Sequence, residues 1–245
     1  MCSGRVDLEF ILRAFSNGMD GVFIGGCCLN ECNYITHGNY DTLNMVLLCR
    51  KIMEHIGLNP QRLSIEFMSS GEGILFTEVV DDFSKKVKEL GPLGKGQEID
   101  EDELKSKLAE IRKLVPYIKI VKRKKLKSRL ENEEEYDEFF TSDEIDKLLS
   151  EVVSYYIDPH KCQACMICRK RCPVEAIEGS KNQIHVIDQD KCIKCGTCFE
   201  ACPPRFGAVK TISGQPVPPP IPEEERTIVR KGKESERKLS TTTDI

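Results

Sequence analysis

The residues best suited to chemistry are eight cysteines arranged in two copies of one spacing, C-x2-C-x2-C-x3-C-P. The first copy begins at Cys162 and the second begins thirty residues later, at Cys192. Thiolates are soft donors that suit iron, and gaps of two residues let one short loop bring three of them around one [4Fe-4S] cluster. The sequence therefore predicts two [4Fe-4S] clusters.

In this spacing, the fourth cysteine of each run serves the cluster of the other run. The predicted ligands of the first cluster are Cys162, Cys165, Cys168 and Cys202. The predicted ligands of the second cluster are Cys192, Cys195, Cys198 and Cys172. A disulfide framework and zinc are the alternatives, but zinc usually takes two separated C-x2-C pairs and no secretory signal supports disulfides. The repetition of the whole run favours iron–sulfur clusters.

The composition of the chain excludes some classes of protein. It has 245 residues, a net charge of −4 and 13 cysteines. The charge offers no general attraction to nucleic acid, and charged residues interrupt every apolar run before it reaches the length of a transmembrane helix. Eight of the cysteines have metal-binding spacing and the N-terminus shows no apolar signal region, so the chain is predicted to work in a reducing cytoplasm. The oxygen sensitivity of exposed low-potential clusters favours an anaerobic host.

Residues 1–93 alternate between helical and strand patterns, with strands predicted at 21–26 and 63–67. This order predicts parallel strands joined by crossover helices, and hence a partial α/β open-sheet module. Two strands are too few to cover the helices, so a strand is missing upstream or a partner subunit completes the sheet. The apolar faces of these helices are therefore expected to stay partly exposed, and they carry Leu8, Leu12, Phe15, Phe76, Val79 and Phe83.

Residues 94–157 are strongly charged and predict a helical linker. One amphipathic helix begins near Leu104 and is expected to end near Pro116. A basic run at 119–129 precedes an acidic run at 131–146, and Thr141 with Glu144 resembles a capping box. The segment is either a solvated linker whose charges partly neutralise each other or a docking surface for a larger subunit. Nucleic acid is disfavoured because acidic residues follow the basic run at once.

The cysteine runs lie within residues 158–212, which predict a 2[4Fe-4S] ferredoxin-like domain of the α+β class. The repeat extends beyond the cysteines, since residues 158–161 match residues 188–191. Four apolar side chains are expected to keep water away from the clusters: Ile167, Ile177, Ile193 and Val209. The proline-rich residues 213–245 are predicted to bury no core and to be extended or disordered unless bound to a partner.

Five cysteines lie outside the two runs, and four of them are candidates for a further metal site. Cys27 and Cys28 follow the first predicted strand, at the edge where ligand sites of open α/β sheets gather, and Cys32 comes shortly after them. Cys49 lies within an apolar helical pattern and is predicted to be a buried structural thiol.

Several segments of the first 93 residues resemble one known family. These segments are residues 2–7, 18–27, 32–34, 38–39 and 69–72. They are similar to the methyl-viologen-reducing hydrogenase delta subunit family, and the glycine–cysteine block at 18–27 is the most specific of them. The resemblance implies a [2Fe-2S] cluster. It also implies electron transfer between a hydrogenase or formate dehydrogenase and a heterodisulfide-reductase-type flavoprotein.

The chain departs from the family pattern in two ways. The family usually opens with a further strand and a cysteine-rich motif upstream of the block that begins at Cys2, so an N-terminally truncated module is expected. The family has Gly-Cys-His and Asp-Cys-His where this chain has GCC at 26–28 and ECN at 31–33. Cys2, Cys27, Cys28 and Cys32 still number four, enough for a [2Fe-2S] site.

The sequence thus predicts an iron–sulfur electron-transfer subunit of an anaerobic oxidoreductase complex. Its expected partners are a hydrogenase or formate dehydrogenase and a flavin-containing protein of the heterodisulfide reductase type. Substrate chemistry is expected in the partner, because no nucleophile–base pair, phosphate loop or dinucleotide fingerprint is visible. The alternative is a freestanding two-cluster ferredoxin whose N-terminal piece is a metal-free docking module.

Overall fold

The computed structural model describes residues 2–34, 38–94, 100–130, 132–231 and 234–237. The chain divides into two compact units, Met1–Leu149 and Ser150–Ile245. Helices and strands occur in both units, and every sheet among the described residues has two strands. The predicted fold class, a partial α/β module followed by a small ferredoxin-like α+β domain, is confirmed.

The first unit opens with the alternation of helix and strand that the sequence predicts. Its elements are α1 (Leu8–Ser16), β1 (Val22–Gly26), α2 (Asn39–Ile56), β2 (Leu63–Phe67) and α3 (Gly73–Leu90). The two strands are parallel, and Val22 pairs with Leu63 at one end of the register and Gly26 with Phe67 at the other. Both strands therefore end beside the segment that carries the N-terminal cysteines.

Helix α3 lies against β1 through aromatic side chains. The ring of Phe23 is 6.5 Å from the ring of Phe76 and 5.7 Å from that of Phe83. No residue of α3 is fully buried, and Phe76 is 51 % exposed. The expectation that the face with Phe76 stays partly exposed is thus confirmed.

Helix α1 is covered by a helix from the charged segment, α4 (Glu101–Val121). The apolar face of α1, including Leu8, Leu12 and Phe15, is buried, so the expectation that it stays partly exposed is wrong. The expected helix end near Pro116 is also wrong, since α4 continues through the proline. Six side chains of α4 are buried: Leu104, Leu108, Ile111, Val115, Tyr117 and Ile118. The apolar face of α4 thus provides the cover that a two-stranded sheet cannot give α1.

Ion pairs and hydrogen bonds hold the remaining charged segment within the first unit. This segment contains α5 (Arg123–Leu126), α6 (Tyr136–Phe139) and α7 (Ser142–Ser150). Glu144 accepts hydrogen bonds from Lys122 at 2.5 Å and from Lys125 at 2.7 Å. The buried Asn44 of α2 donates to the carbonyl of Ser128 at 2.7 Å. The structure therefore differs from the predicted solvated linker, because these residues contribute to one core with α1 and α2.

The second unit repeats one small motif around the two cysteine runs. Its elements are β3 (Ser154–Ile157), α8 (Ile167–Arg171), β4 (Ile177–Glu178), β5 (Val186–Ile187), α9 (Thr197–Ala201) and β6 (Val209–Ile212). β3 pairs with β6 and β4 pairs with β5, both antiparallel. Each short helix carries the third cysteine of its run.

Part of the proline-rich segment belongs to the core of the second unit. The backbone N–H of Ile228 donates to the carbonyl of Asn182 at 2.7 Å, and the N–H of Ile184 donates to the carbonyl of Arg226 at 2.6 Å. Ile228 is buried and begins β7 (Ile228–Lys231), which pairs with β8 (Glu234–Arg237). The structure thus differs from the prediction that residues 213–245 bury no core. The prediction for residues 232–233 and 238–245 lies outside the described residues.

Candidate iron–sulfur sites

Three of the four cysteines predicted for the first cluster act electrostatically on the fourth, Cys168. Burial, with the neighbouring thiols of Cys162, Cys165 and Cys202, raises the pKa of Cys168 to about 12. Cys162 and Cys168 are buried, whereas Cys165 is exposed. Cys202 belongs to the second run in the sequence, yet it acts on a thiol of the first. Cys202 therefore lies near Cys168, as the predicted exchange of the fourth ligands requires.

The four cysteines predicted for the second cluster show the same arrangement. Burial, with the thiols of Cys192, Cys168 and Cys195, raises the pKa of Cys198 to about 12. Burial also raises the pKa of Cys192, with contributions from the thiols of Cys195 and Cys172. Because Cys168 acts on Cys198, the two groups of thiols are close neighbours.

A left-handed backbone wraps each cysteine loop. Ala164 and Met166 have positive φ angles of 49° and 66° in the first loop. Lys194 and Gly196 have angles of 55° and 79° at the equivalent places of the second loop, thirty residues later. A non-glycine residue rarely adopts this conformation without a local requirement. We attribute the conformation to the turn that directs successive cysteines of one loop toward a common centre.

Backbone N–H groups and apolar side chains surround these thiols. The N–H of Ala176 donates to the Sγ of Cys172 at 3.3 Å, and the N–H of Lys194 donates to the Sγ of Cys192 at 3.4 Å. Ile177 and Val209 are buried and Ile167 and Ile193 are partly buried, in the positions where the sequence predicts apolar cover. The site therefore combines soft donors, N–H groups directed at sulfur and limited access for water, which are the requirements of an iron–sulfur cluster.

His185 contacts the first group of thiols, and the sequence analysis missed it. It is 1 % exposed, with Nδ1 3.7 Å from the Sγ of Cys168 and Nε2 3.2 Å from the Sδ of Met166. Burial, with Arg169 nearby, lowers the pKa of His185, so the ring is neutral at neutral pH. The signal that could have identified it is one polar residue within the apolar run IHVI at 184–187.

Three of the four N-terminal candidate cysteines lie together. The Sγ atoms of Cys2 and Cys32 are 3.6 Å apart. Burial raises the pKa of Cys27, and the thiols of Cys32 and Cys2 raise it further. Burial also acts to raise the pKa of Cys32, but backbone N–H groups of Tyr34 and Asn39 outweigh it, so that this pKa is lowered. The lowered pKa favours the thiolate form, which is the form that binds metal.

Cys28 does not join this group of three thiols. The charges that act on its thiol, after burial, are the carboxylates of Glu31 and Glu72, and together these effects raise its pKa. The buried amide of Asn39 donates to the carbonyls of Cys27 at 2.8 Å and Cys28 at 2.7 Å, which orients the loop between them. Asn39 is a positioning residue that the sequence analysis noted only as part of a family motif.

No group of three or more His, Cys, Asp or Glu side chains among the described residues could hold a single metal ion. A [4Fe-4S] cluster spreads four thiolates over four irons, so its ligands need not converge on one ion.

Cys49 is buried in α2 and burial raises its pKa to about 12, as expected of a structural thiol. No helix in the part of the chain that the structure describes is long and apolar enough to cross a membrane.

The second unit defines the class of the protein. Residues 154–203 match the 4Fe-4S dicluster domain family, so the chain is an iron–sulfur protein. Residues 1–91 match the family described as methyl-viologen-reducing hydrogenase, delta subunit. The chain belongs to this family, and the resemblance seen in the sequence is confirmed. Neither match includes residues 92–153, which contain α4.

The first residues of the chain are also similar to individual proteins. One is the iron-sulfur subunit of the F420-non-reducing hydrogenase of Archaeoglobus profundus, 44 % identical over 91 residues, which are 37 % of this chain and 66 % of the relative. Another is the vhu iron-sulfur subunit of the same kind of hydrogenase from Methanopyrus kandleri, 40 % identical over 92 residues, which are 38 % of this chain and 69 % of the relative.

A third similar protein is much longer than the matched region. It belongs to the ferredoxin/F(420)H(2)-dependent CoB-CoM heterodisulfide reductase of Methanosarcina acetivorans, as one of its subunits, and is 42 % identical over 94 residues. These residues are 38 % of this chain but 12 % of the relative. The chain thus spans a small part of the reductase protein and just under two thirds of the Archaeoglobus protein.

Proposed function

We propose that the chain is the electron-transfer subunit of an anaerobic, cytoplasmic oxidoreductase complex. The observation that carries this proposal is the union, in one chain, of a hydrogenase delta module with a 4Fe-4S dicluster domain. The relatives are subunits of a hydrogenase and of a heterodisulfide reductase. The proposed partners are therefore a hydrogenase or formate dehydrogenase and a heterodisulfide-reductase-type flavoprotein. Substrate chemistry belongs to those partners.

The second unit is proposed to hold two [4Fe-4S] clusters. Cys162, Cys165, Cys168 and Cys202 are the proposed ligands of the first. Cys192, Cys195, Cys198 and Cys172 are the proposed ligands of the second. When bound, such clusters accept and release single electrons. The buried isoleucine and valine side chains exclude water, and the N–H groups that face Cys172 and Cys192 stabilise negative charge on sulfur.

The first unit is proposed to hold one [2Fe-2S] cluster at its N-terminal cysteines. Cys2, Cys27 and Cys32 supply three of the four thiolates that such a cluster takes. Cys28 is the proposed fourth ligand, because it adjoins Cys27 in the same loop. The charged groups that act on its thiol are Glu31 and Glu72 and not the other three cysteines, so binding requires a local rearrangement of that loop.

Iron content tests this assignment. The full chain, reconstituted without oxygen, should hold about ten irons, and Cys32→Ser and Cys28→Ser should each hold about eight. Cys49→Ala is the matched control, because it removes a buried thiol that faces no other candidate ligand and should keep about ten irons. Ten irons in Cys28→Ser would show that the fourth ligand is another group.

The same measurement decides between the proposal and its alternative. A wild-type chain that holds about eight irons, with no change in Cys32→Ser, would favour a two-cluster ferredoxin with a metal-free docking module. The proximity of three thiols in the first unit favours the three-cluster protein, because a docking module has no need to bring Cys2 beside Cys32.

A further inference from the structure

We propose that His185 raises the reduction potential of the first cluster relative to the second by donating a hydrogen bond to the ligand Cys168. This inference rests on the proposed function, since it concerns a cluster bound by Cys162, Cys165, Cys168 and Cys202. His185 is a positioning residue, because it contacts the proposed ligand Cys168 and would not bind iron itself.

The geometry directs one edge of the His185 ring at the proposed ligand. Nδ1 lies 3.7 Å from the Sγ of Cys168, and Met166 Sδ lies 3.2 Å from the opposite nitrogen, Nε2. A cysteine bound to iron is a thiolate and has no proton to donate. The thioether of Met166 has no proton to donate either and is a weak, uncharged acceptor, so the ring proton goes to Nδ1, which faces the charged thiolate.

The fold holds this ring closely. Gly179 has a φ angle of 118°, and a Cβ atom at this position would lie 2.6 Å from the Cδ2 atom of His185. The ring is also 1 % exposed, so water does not compete for Nδ1. The N–H group is thus fixed in a setting of low polarity, where its interaction with a charged sulfur is strengthened.

The repeat of thirty residues supplies an internal comparison. The position equivalent to His185 is Tyr155, and the position equivalent to Met166 is Gly196. A Cβ atom on Gly196 would lie 2.8 Å from the Oη of Tyr155, so the phenol occupies the space over this loop. Tyr155 also lines a small cavity with Cys192, Cys195 and Cys198. One thiol group therefore has a buried imidazole beside it, and the other has a tyrosine ring.

This asymmetry affects the two clusters unequally when they are reduced. Reduction adds one electron to a cluster, supplied by a partner protein or by a chemical reductant, and no bond to His185 forms or breaks. The added negative charge is shared by the sulfur ligands and is stabilised by an N–H dipole directed at one of them. Backbone N–H groups face the second-cluster ligands Cys172 and Cys192 and do not depend on His185. Loss of His185 should therefore lower the potential of the first cluster and leave that of the second unchanged.

The test is an anaerobic redox titration of the reconstituted full chain with dithionite. Paramagnetic NMR assigns each transition through the shifted cysteine protons. His185→Phe removes both ring nitrogens, and His185→Gln places its donor near the former Nε2, away from Cys168. In both variants the ratio of reduced to oxidised first cluster at a fixed potential should fall about tenfold, which is 59 mV for one electron. The second cluster should be unchanged.

Two control variants separate this effect from a structural one. His185→Asn keeps an N–H donor near the position of Nδ1 and should retain the wild-type potential within about threefold in that ratio. Tyr155→Phe keeps the ring beside the second thiol group and should leave the first cluster unchanged. If His185→Phe does not bind iron, His185→Gln decides, since it keeps a polar side chain in the same space.

An unaltered first potential in both variants, or an equal shift of both clusters, would overturn the inference while leaving the proposed function intact. A wild-type chain that binds no iron–sulfur cluster would overturn the proposed function, and this inference with it.

Discussion

Replacement of Leu108 by alanine tests whether the first unit depends on a helix that lies outside both family matches. Leu108 is 0 % exposed within α4, and α4 lies against α1. The guanidinium of Arg112 adds a pair of hydrogen bonds to Glu9 of α1, at 2.7 and 3.0 Å. If α4 is the cover of α1, a cavity within α4 should destabilise α1, although the two helices are separated along the chain.

The size of the effect follows from the burial of the leucine. A buried Leu→Ala replacement costs about 3 kcal/mol, because transfer free energy is lost and a cavity remains. At 1.4 kcal/mol for each factor of ten, the population of locally opened molecules should rise on the order of 100-fold. The ion pair between Arg112 and Glu9 contributes little to stability compared with the burial of Leu108, because both of its side chains are partly exposed.

Hydrogen exchange of the full chain, followed by mass spectrometry, measures this opening at α1. The amides of residues 8–16 should lose about two orders of magnitude of protection in Leu108→Ala. Ile120→Ala is the control on the same helix: its side chain is 42 % exposed, and its effect should stay within about 0.5 kcal/mol. Unchanged protection of α1 in Leu108→Ala would refute the claim that α4 stabilises α1.

Two further predictions concern the second unit. Cys172→Ser should damage the second cluster more than the first, and Cys202→Ser should do the reverse. Cluster-resolved spectroscopy of the reduced variants measures this. Loss of the first cluster's signal alone in Cys172→Ser would contradict the ligand exchange. Assembly should also weaken as pH falls: burial and neighbouring thiols raise the pKa of Cys168 and Cys198 to about 12, so both are protonated at neutral pH and must release a proton to bind iron. Each unit of pH lost should weaken iron binding about tenfold for each such thiol, which reconstitution at graded pH measures, and a pH-independent yield would contradict it.

The local elements of this chain could be predicted from its sequence because their signals are local. Strand β2 occupies 63–67, where the sequence predicts a strand, and α2 ends at Ile56 just before Gly57, a residue type that commonly ends helices. Thr141 caps α7 as its motif predicts, since its Oγ1 accepts the N–H of Glu144 at 3.2 Å. Cysteine spacing likewise predicted two clusters, because the loop geometry of each run depends on the residues within it.

What the sequence could not determine is which distant element covers an apolar face or approaches a polar group. Periodicity identified the apolar side of α1 but not α4 as its cover, and the carboxylate of Glu144 bonds to Lys122 and Lys125 and not to the start of its own helix. His185 meets Cys168 only because the β4–β5 pair returns the chain beside α8. Such contacts depend on the sum of many weak long-range interactions, and no spacing along the chain records that sum.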